Sequence, residues 1–192
     1  GDHKSIFLPD LGRSRLAANR LRGLRYVHTH LRGEPFTPDD MADLAHLRFD
    51  VMVAIDVGAD GLPDGARVAS LLPDNSAGKQ WDVQNGLPVN QLEMNFLGFI
   101  QALEDEFART QEAYAVGDAR ERAILVSVTA GSKTAAEESL EELAELASTC
   151  GVAAVDRIIQ QRGHSDPHYV LGRGKLDDVI VRSLQVGADL LI

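Results

Sequence analysis

Apolar and polar positions alternate along residues 24 to 31 and again through "RVASLL", while "VMVAIDV" is an almost unbroken apolar run. Alternation predicts half-buried strands, and a short apolar run between turn residues predicts a strand covered on both faces. Residues 5 to 8 read as a further strand, joined to the next by the exposed stretch "PDLGRSRLAANRLRG". "GADGLPDGA" separates the two later runs and is rich in turn formers, so a hairpin is expected there. Residues 74 to 88, rich in Asn, Gly and Pro, read as a loop that carries the only tryptophan, Trp81.

From about residue 89 the period changes. Leu92, Phe96, Phe99 or Ile100, Leu103 and Phe107 recur every three or four positions, which predicts an amphipathic helix to about residue 115, packed on the preceding strands and stopped by Gly117. "RAILVSV" then predicts a buried strand. "TAGSKTAAEESLEELAELASTCG" predicts a helix with Leu140, Leu143, Ala147 and Cys150 on one face and Gly151 at its end. "VAAVDRIIQQR", "GKLDDVIVRSLQVG" and "ADLLI" follow as strand, short helix and strand. That order implies right-handed crossovers and a parallel sheet. The expected class is α/β: a mixed N-terminal domain over residues 1 to 88, a linking helix over 89 to 118, and a small parallel βαβαβ, Rossmann-like domain over 119 to 192.

A chain of 192 residues with 44% hydrophobic content can bury two small cores. Its formal charge of −10 argues against a generic nucleic-acid binder, because polyphosphate is repelled on average. The charge is unevenly placed, however. Residues 1 to 32 hold Lys4, Arg13, Arg15, Arg20, Arg22, Arg25 and Arg32 against Asp2 and Asp10, whereas 101 to 145 are crowded with acids. Arg13, Arg15, Arg20, Arg22 and Arg25 are therefore candidate contacts to RNA phosphates, the alternative being a solvated basic loop. A single cysteine, Cys150, excludes an intramolecular disulfide and points to a reducing cytoplasm. No signal peptide is visible and no apolar run approaches the roughly 20 residues that span a bilayer, so no membrane partner is expected.

Two features suggest chemistry. "TAGSKT" and "YVLGRGKLDD" resemble phosphate loops only in part, because Ser132 stands before the first lysine, and Tyr169 and Leu176 replace the outer glycine and the magnesium-binding hydroxyl of the second. What remains at Gly172, Arg173, Gly174 and Lys175 is a turn that opens a helix, with amides and basic side chains able to hold an anion or a neighbouring domain, or simply a structural turn. The second feature is "HTHLRGEPFTPDD". A strand delivers His28 and His30, then Thr37 can cap a helix with Pro38 in its first position and Asp39 and Asp40 in its first turn. Two imidazoles near a strand end and an acid on the following helix can form a zinc site with an open position.

"ERAILVSV", "EESLEELAELASTCGVAAVDRIIQQR", "DPHYVLGRGKLDDV" and "GADLLI", in this order, resemble the N-terminal domain of the HflX family of ribosome-associated GTPases over residues 121 to 192. The resemblance implies a parent in which this domain precedes a helical hairpin and a GTPase domain, and which acts on the large ribosomal subunit. GTP and magnesium would then belong to the parent's GTPase domain, with no cofactor and no catalytic residue in these 192 residues. Both ends read as cut from a longer protein. The exposed sheet edge left by a cut allows a homodimer.

"HTHLRGEPFTPDD" resembles the metal motif of the JAMM metalloprotease-like fold in its RadC branch. That resemblance implies a JAMM-like N-terminal extension with His28, His30 and Asp40 as zinc ligands and Thr37 in place of a serine. Leu31 replaces the motif's proline, the interval to Thr37 is one residue short, and no glutamate precedes Glu34 to act as general base. The alternatives are a zinc-dependent hydrolase and a scaffold whose histidines only pack and hydrogen-bond.

Overall fold

A computed structural model describes residues 20–73, 79–91, 95–114, 121–163 and 170–192. The expected strand at 5 to 8, the residues Arg13, Arg15, Leu92 and Gly117, and histidines 164 and 168 lie outside them.

Two sheets organise the chain. The first contains β1 (Arg25–His30), β2 (Val51–Val57), β3 (Pro63–Leu71) and β4 (Trp81–Leu87) in that spatial order. β1 runs parallel to β2, connected through helix α1 (Pro38–His46), while β2, β3 and β4 are antiparallel. The "GADGLPDGA" turn closes the β2–β3 hairpin as expected, with the Gly58 amide donating to the Leu62 carbonyl at 2.8 Å.

β4 corrects the reading of residues 74 to 88 as a loop. Composition hid an alternation in which Trp81, Val83 and Leu87 are half-buried between exposed neighbours. Asn85 and Gly86 look like loop residues because they form an irregularity inside the strand. The register shifts opposite Ala66 to Val68, and Gly86 takes φ +68°, as a bulge requires.

Helix α2 (Phe96–Ala113) begins later than the period suggested, because Asn95 caps it by accepting from the Gly98 amide at 3.1 Å. Ile100, Leu103, Phe107 and Gln111 form its buried stripe.

The second sheet has β6 (Val152–Gln161), β5 (Glu121–Thr129) and β7 (Leu190–Leu191) side by side and all parallel. Helix α3 (Lys133–Thr149) joins β5 to β6, and α4 (Arg173–Val186) joins β6 to β7. The first connection runs outward from β5 to β6 and the second returns across β5 to β7, so right-handed crossovers place α3 and α4 on opposite faces. Leu140 of α3 packs on Ala123 and Leu125 in a small core. Cys150, expected on that face, is the helix C-cap and is exposed, with Gly151 beyond it at φ +80°.

α4 belongs to both sheets. Its Val181 and Leu184 lie in one apolar cluster with Met41 and Leu44 of α1, Met52 of β2, Leu71 of β3 and Phe107 of α2. Polar contacts hold it from every side. The Gln111 Nε2 donates to the Leu184 carbonyl at 2.7 Å, satisfying a terminal helix carbonyl, and the Gln185 Nε2 donates to the Leu72 carbonyl at 2.8 Å. His46 pairs with Asp177 at 2.8 Å, and the Arg182 guanidinium reaches Asp156 of β6 and the Tyr114 hydroxyl. Among the described residues, no helix is long and apolar enough to cross a membrane.

Candidate functional site

The alternation of β1 sends Tyr26, His28 and His30 to the face that α1 covers. They form a ladder of rings. Phe49 stacks on Tyr26 at 5.7 Å, Tyr26 meets His28 edge-on at 5.0 Å, and His28 stacks on His30 at 4.7 Å with planes 15° apart. Phe36, from the turn after β1, lies 5.9 Å from both imidazoles and closes the ladder.

The turn "LRGEPF" is fastened through one carbonyl. His30 is buried, and its Nδ1 donates to the Glu34 carbonyl, which also accepts from the buried Arg67 of β3. Arg67 is in turn paired with Asp56 of β2. Backbone amides of Glu34 and Arg32 hold the exposed Glu34 carboxyl below the usual range. Thr37 caps α1 as its position predicts: its hydroxyl accepts from the Asp40 amide at 3.2 Å. The Asp40 Oδ2 accepts in return from the Thr37 amide and hydroxyl, each at 2.7 Å. This is a complete capping box.

The structure therefore brings His28 and His30 together but turns Asp40 to the helix cap. A metal shared by two imidazoles must lie in both ring planes at about 2.0–2.1 Å from a nitrogen of each. Stacked, nearly parallel rings do not offer such a point. Among the described residues no group of three or more His, Cys, Asp or Glu side chains is placed to hold a metal ion. The His28 Nε2 is nevertheless buried without a hydrogen-bond partner.

Burial pushes the His28 imidazole below the usual histidine range; Asp40 and Glu34 oppose the shift and His30 adds to it. As the pH falls, unfolded molecules take up the proton first, near about 6.5. The stability contributed by neutral His28 is thus complete above that value and is lost as the pH falls through the lower folded-state value. The urea midpoint is expected to drop between about pH 7 and pH 5.5, and His28→Gln to flatten that segment. An identical slope in the variant would assign the pH dependence to another group.

The other expected sites lie apart from this ladder. Arg20 is exposed, Arg22 half-buried, and the Arg25 guanidinium sits 4.2 Å above the Phe96 ring. At the start of α4, Gly172 is the N-cap and donates its amide to the Gln160 Oε1 at 3.0 Å. Lys175 is 3.5 Å from Asp178. A side chain at Gly172 would meet the Arg162 Nη2 at 2.5 Å, whereas a Cβ at Gly174 would meet nothing within 4 Å. Only at the first glycine would a side chain meet a neighbour, and that neighbour is the movable end of the Arg162 side chain. The remaining loop-like feature, "TAGSKT", is a strand-to-helix turn in which the Gly131 amide donates to the Thr129 hydroxyl at 3.0 Å.

Residues 137–192, from the first turns of α3 through β7, match a family described as GTP-binding GTPase N-terminal. Over 68 residues the chain is 43% identical to a protein named GTPase HflX from Lacrimispora saccharolytica. Residues 137–192 are thus similar to the N-terminal region of HflX-type GTPases. The aligned segment is 35% of this chain and covers 16% of that relative's length, and the family match at 137–192 does not include the histidine ladder. No solved structure matches the chain. Within the matched residues lie the Gly172–Lys175 turn and the whole of α4, whose apolar surface continues into the core of the first sheet.

Proposed function

We propose that the chain is the N-terminal accessory region of an HflX-type GTP-binding protein acting at the large ribosomal subunit, and that it is not itself catalytic. The observation that carries this reading is the family match over residues 137–192, which takes in most of α3 and all of β6, α4 and β7. GTP and magnesium are assigned to a further domain of the parent, since the first turn has Ser132 before its lysine and the second has Tyr169 and Leu176 in place of the outer glycine and the hydroxyl that phosphate and magnesium require. The Gly172–Lys175 turn is the part of the unit offered to that domain or to RNA, and the first sheet is a JAMM-like scaffold. Co-sedimentation with purified large subunits tests the reading. The chain should pellet at low salt, less so as salt rises, and an Arg13→Gln/Arg15→Gln/Arg20→Gln variant should pellet less than the wild type. Failure of the wild-type chain to pellet above background would overturn a ribosomal role for this region.

The second reading, a zinc-dependent JAMM-type hydrolase, draws on the paired imidazoles and the unpartnered His28 Nε2. As placed, His28, His30 and Asp40 do not fit a shared metal, for the geometric reasons above. Chain purified from zinc-supplemented medium is expected to carry far less than one zinc per molecule, with no rise in melting temperature on adding more. One zinc per chain, with a thermal shift abolished by His28→Ala, would reverse this conclusion.

A further inference from the structure

At the other end of the first sheet two arginines lie close together with no counter-ion among the described residues. The Arg22 amide donates to the Arg48 carbonyl at 2.9 Å, which sets the segment before β1 beside the turn between α1 and β2. Both side chains are half-buried. The Arg22 Nε is buried and has no hydrogen-bond partner, and among the described residues neither guanidinium makes an ion pair. Two carboxylates on this segment serve its backbone instead: the Asp50 Oδ1 accepts from the Gly23 amide at 2.9 Å and the Glu104 Oε1 from the Leu21 amide at 3.1 Å. Burial, with the neighbouring Arg22 charge, pulls the Arg48 guanidinium below its ordinary range.

The backbone of Arg48 adds a separate argument. The Phe49 amide donates to the Leu44 carbonyl and the Arg48 amide to the Ala45 carbonyl, both at 3.2 Å, so α1 ends in a Schellman motif with Arg48 in its left-handed position. Glycine is the usual residue there, and Arg48 has φ +48°, the only positive φ of a non-glycine among the described residues. A left-handed arginine, repelled by a second arginine, is a local conflict of the kind that marks a binding site.

We propose that Arg22 and Arg48 form an oxyanion site that takes a phosphate group, held between two forked guanidinium groups. The exposed Arg20 extends the positive surface beside it. A phosphate would neutralise the repulsion and give the Arg22 Nε its missing acceptor. The source is either a nucleic-acid backbone or a free phosphate, and the chemistry is the same for both. The inference does not depend on the ribosomal reading, since inorganic phosphate alone probes it.

The test is thermal melting of the full 192-residue chain in inorganic phosphate against chloride of equal ionic strength. Wild type should gain about 2–4 °C more in phosphate than the Arg48→Gly and Arg22→Gln variants do; the variants report the general salting effect. In chloride, Arg48→Gly should melt at or above wild type, because it removes both the left-handed strain and the repulsion. Equal phosphate-dependent gains in wild type and both variants would overturn the site. A titration with short single-stranded RNA then separates the sources. A loss of about tenfold in RNA affinity in the Arg22→Gln/Arg48→Gly double variant assigns the site to backbone phosphate, and unchanged RNA affinity with the inorganic response lost assigns it to a free phosphate.

Discussion

Leu184→Ala should lower the stability of the chain by about 2–5 kcal/mol, in one transition that involves both sheets. Leu184 is 2% exposed and shares a cluster with residues of α1, α2, β2 and β3, although it lies on a helix of the second sheet. Truncation leaves a cavity in a core that the first sheet also needs, and the surrounding α1 and α2 side chains relax only partly into it. The melting temperature should fall by roughly 2–4 °C per kcal/mol for a chain of this size. Fluorescence of Trp81, on β4, reports the first sheet, and amide exchange on β5 reports the second. The two probes should shift together. A Trp81 transition that keeps its wild-type midpoint while β5 amides lose protection would show that the sheets fold independently and that the shared cluster carries little coupling.

The second large effect is expected at Asp56. Arg67 is buried, with its side chain 9% exposed, and Asp56 is its carboxylate partner across the β2–β3 hairpin. Asp56→Ala leaves that charge without compensation and should cost about 3–5 kcal/mol. The loss should extend to the histidine ladder, because Arg67 also donates to the Glu34 carbonyl that holds His30. Replacing both partners, Asp56→Leu with Arg67→Met, should recover most of the stability, since removal of a whole buried pair is far less damaging than removal of half of it. Urea midpoints of the single and double variants measure this. A single variant within about 0.5 kcal/mol of wild type would mean that the pair is effectively solvated.

The periodic parts of the chain were legible in advance for a physical reason. β1, β2, the β2–β3 hairpin, α1 with its Thr37 cap, and the β5-α3-β6-α4-β7 order each follow from side-chain alternation or from capping groups adjacent in sequence. β4 was not, because its bulge residues Asn85 and Gly86 carry loop composition inside a strand. The double role of α4 was present as a signal that went unread. Val179, Val181, Leu184 and Val186 are all at most 2% exposed, and at about 100° per residue they spread around most of the helix, which one sheet cannot cover.

The candidate sites show the same division. That His28 and His30 lie together on one strand face follows from their spacing, but whether their lone pairs converge depends on ring orientation, which Phe36 and the Glu34 carbonyl set. Asp40 satisfies both the zinc pattern and the capping box, and only coordinates decide between them. Arg48 was invisible because nothing in "LRFD" distinguishes a helix-ending arginine from a solvated one. Its interest comes from a left-handed backbone and from Arg22, a neighbour distant in sequence.

The placement of Val181 and Leu184 on α4 also limits how the chain can be shortened. Once valines and leucines occupied the side of the helix turned away from its own sheet, loss of the first unit would leave them facing water as an adhesive stripe. The loops and histidines of the first unit can vary freely by comparison, but deleting the unit requires polar replacements at Val181 and Leu184.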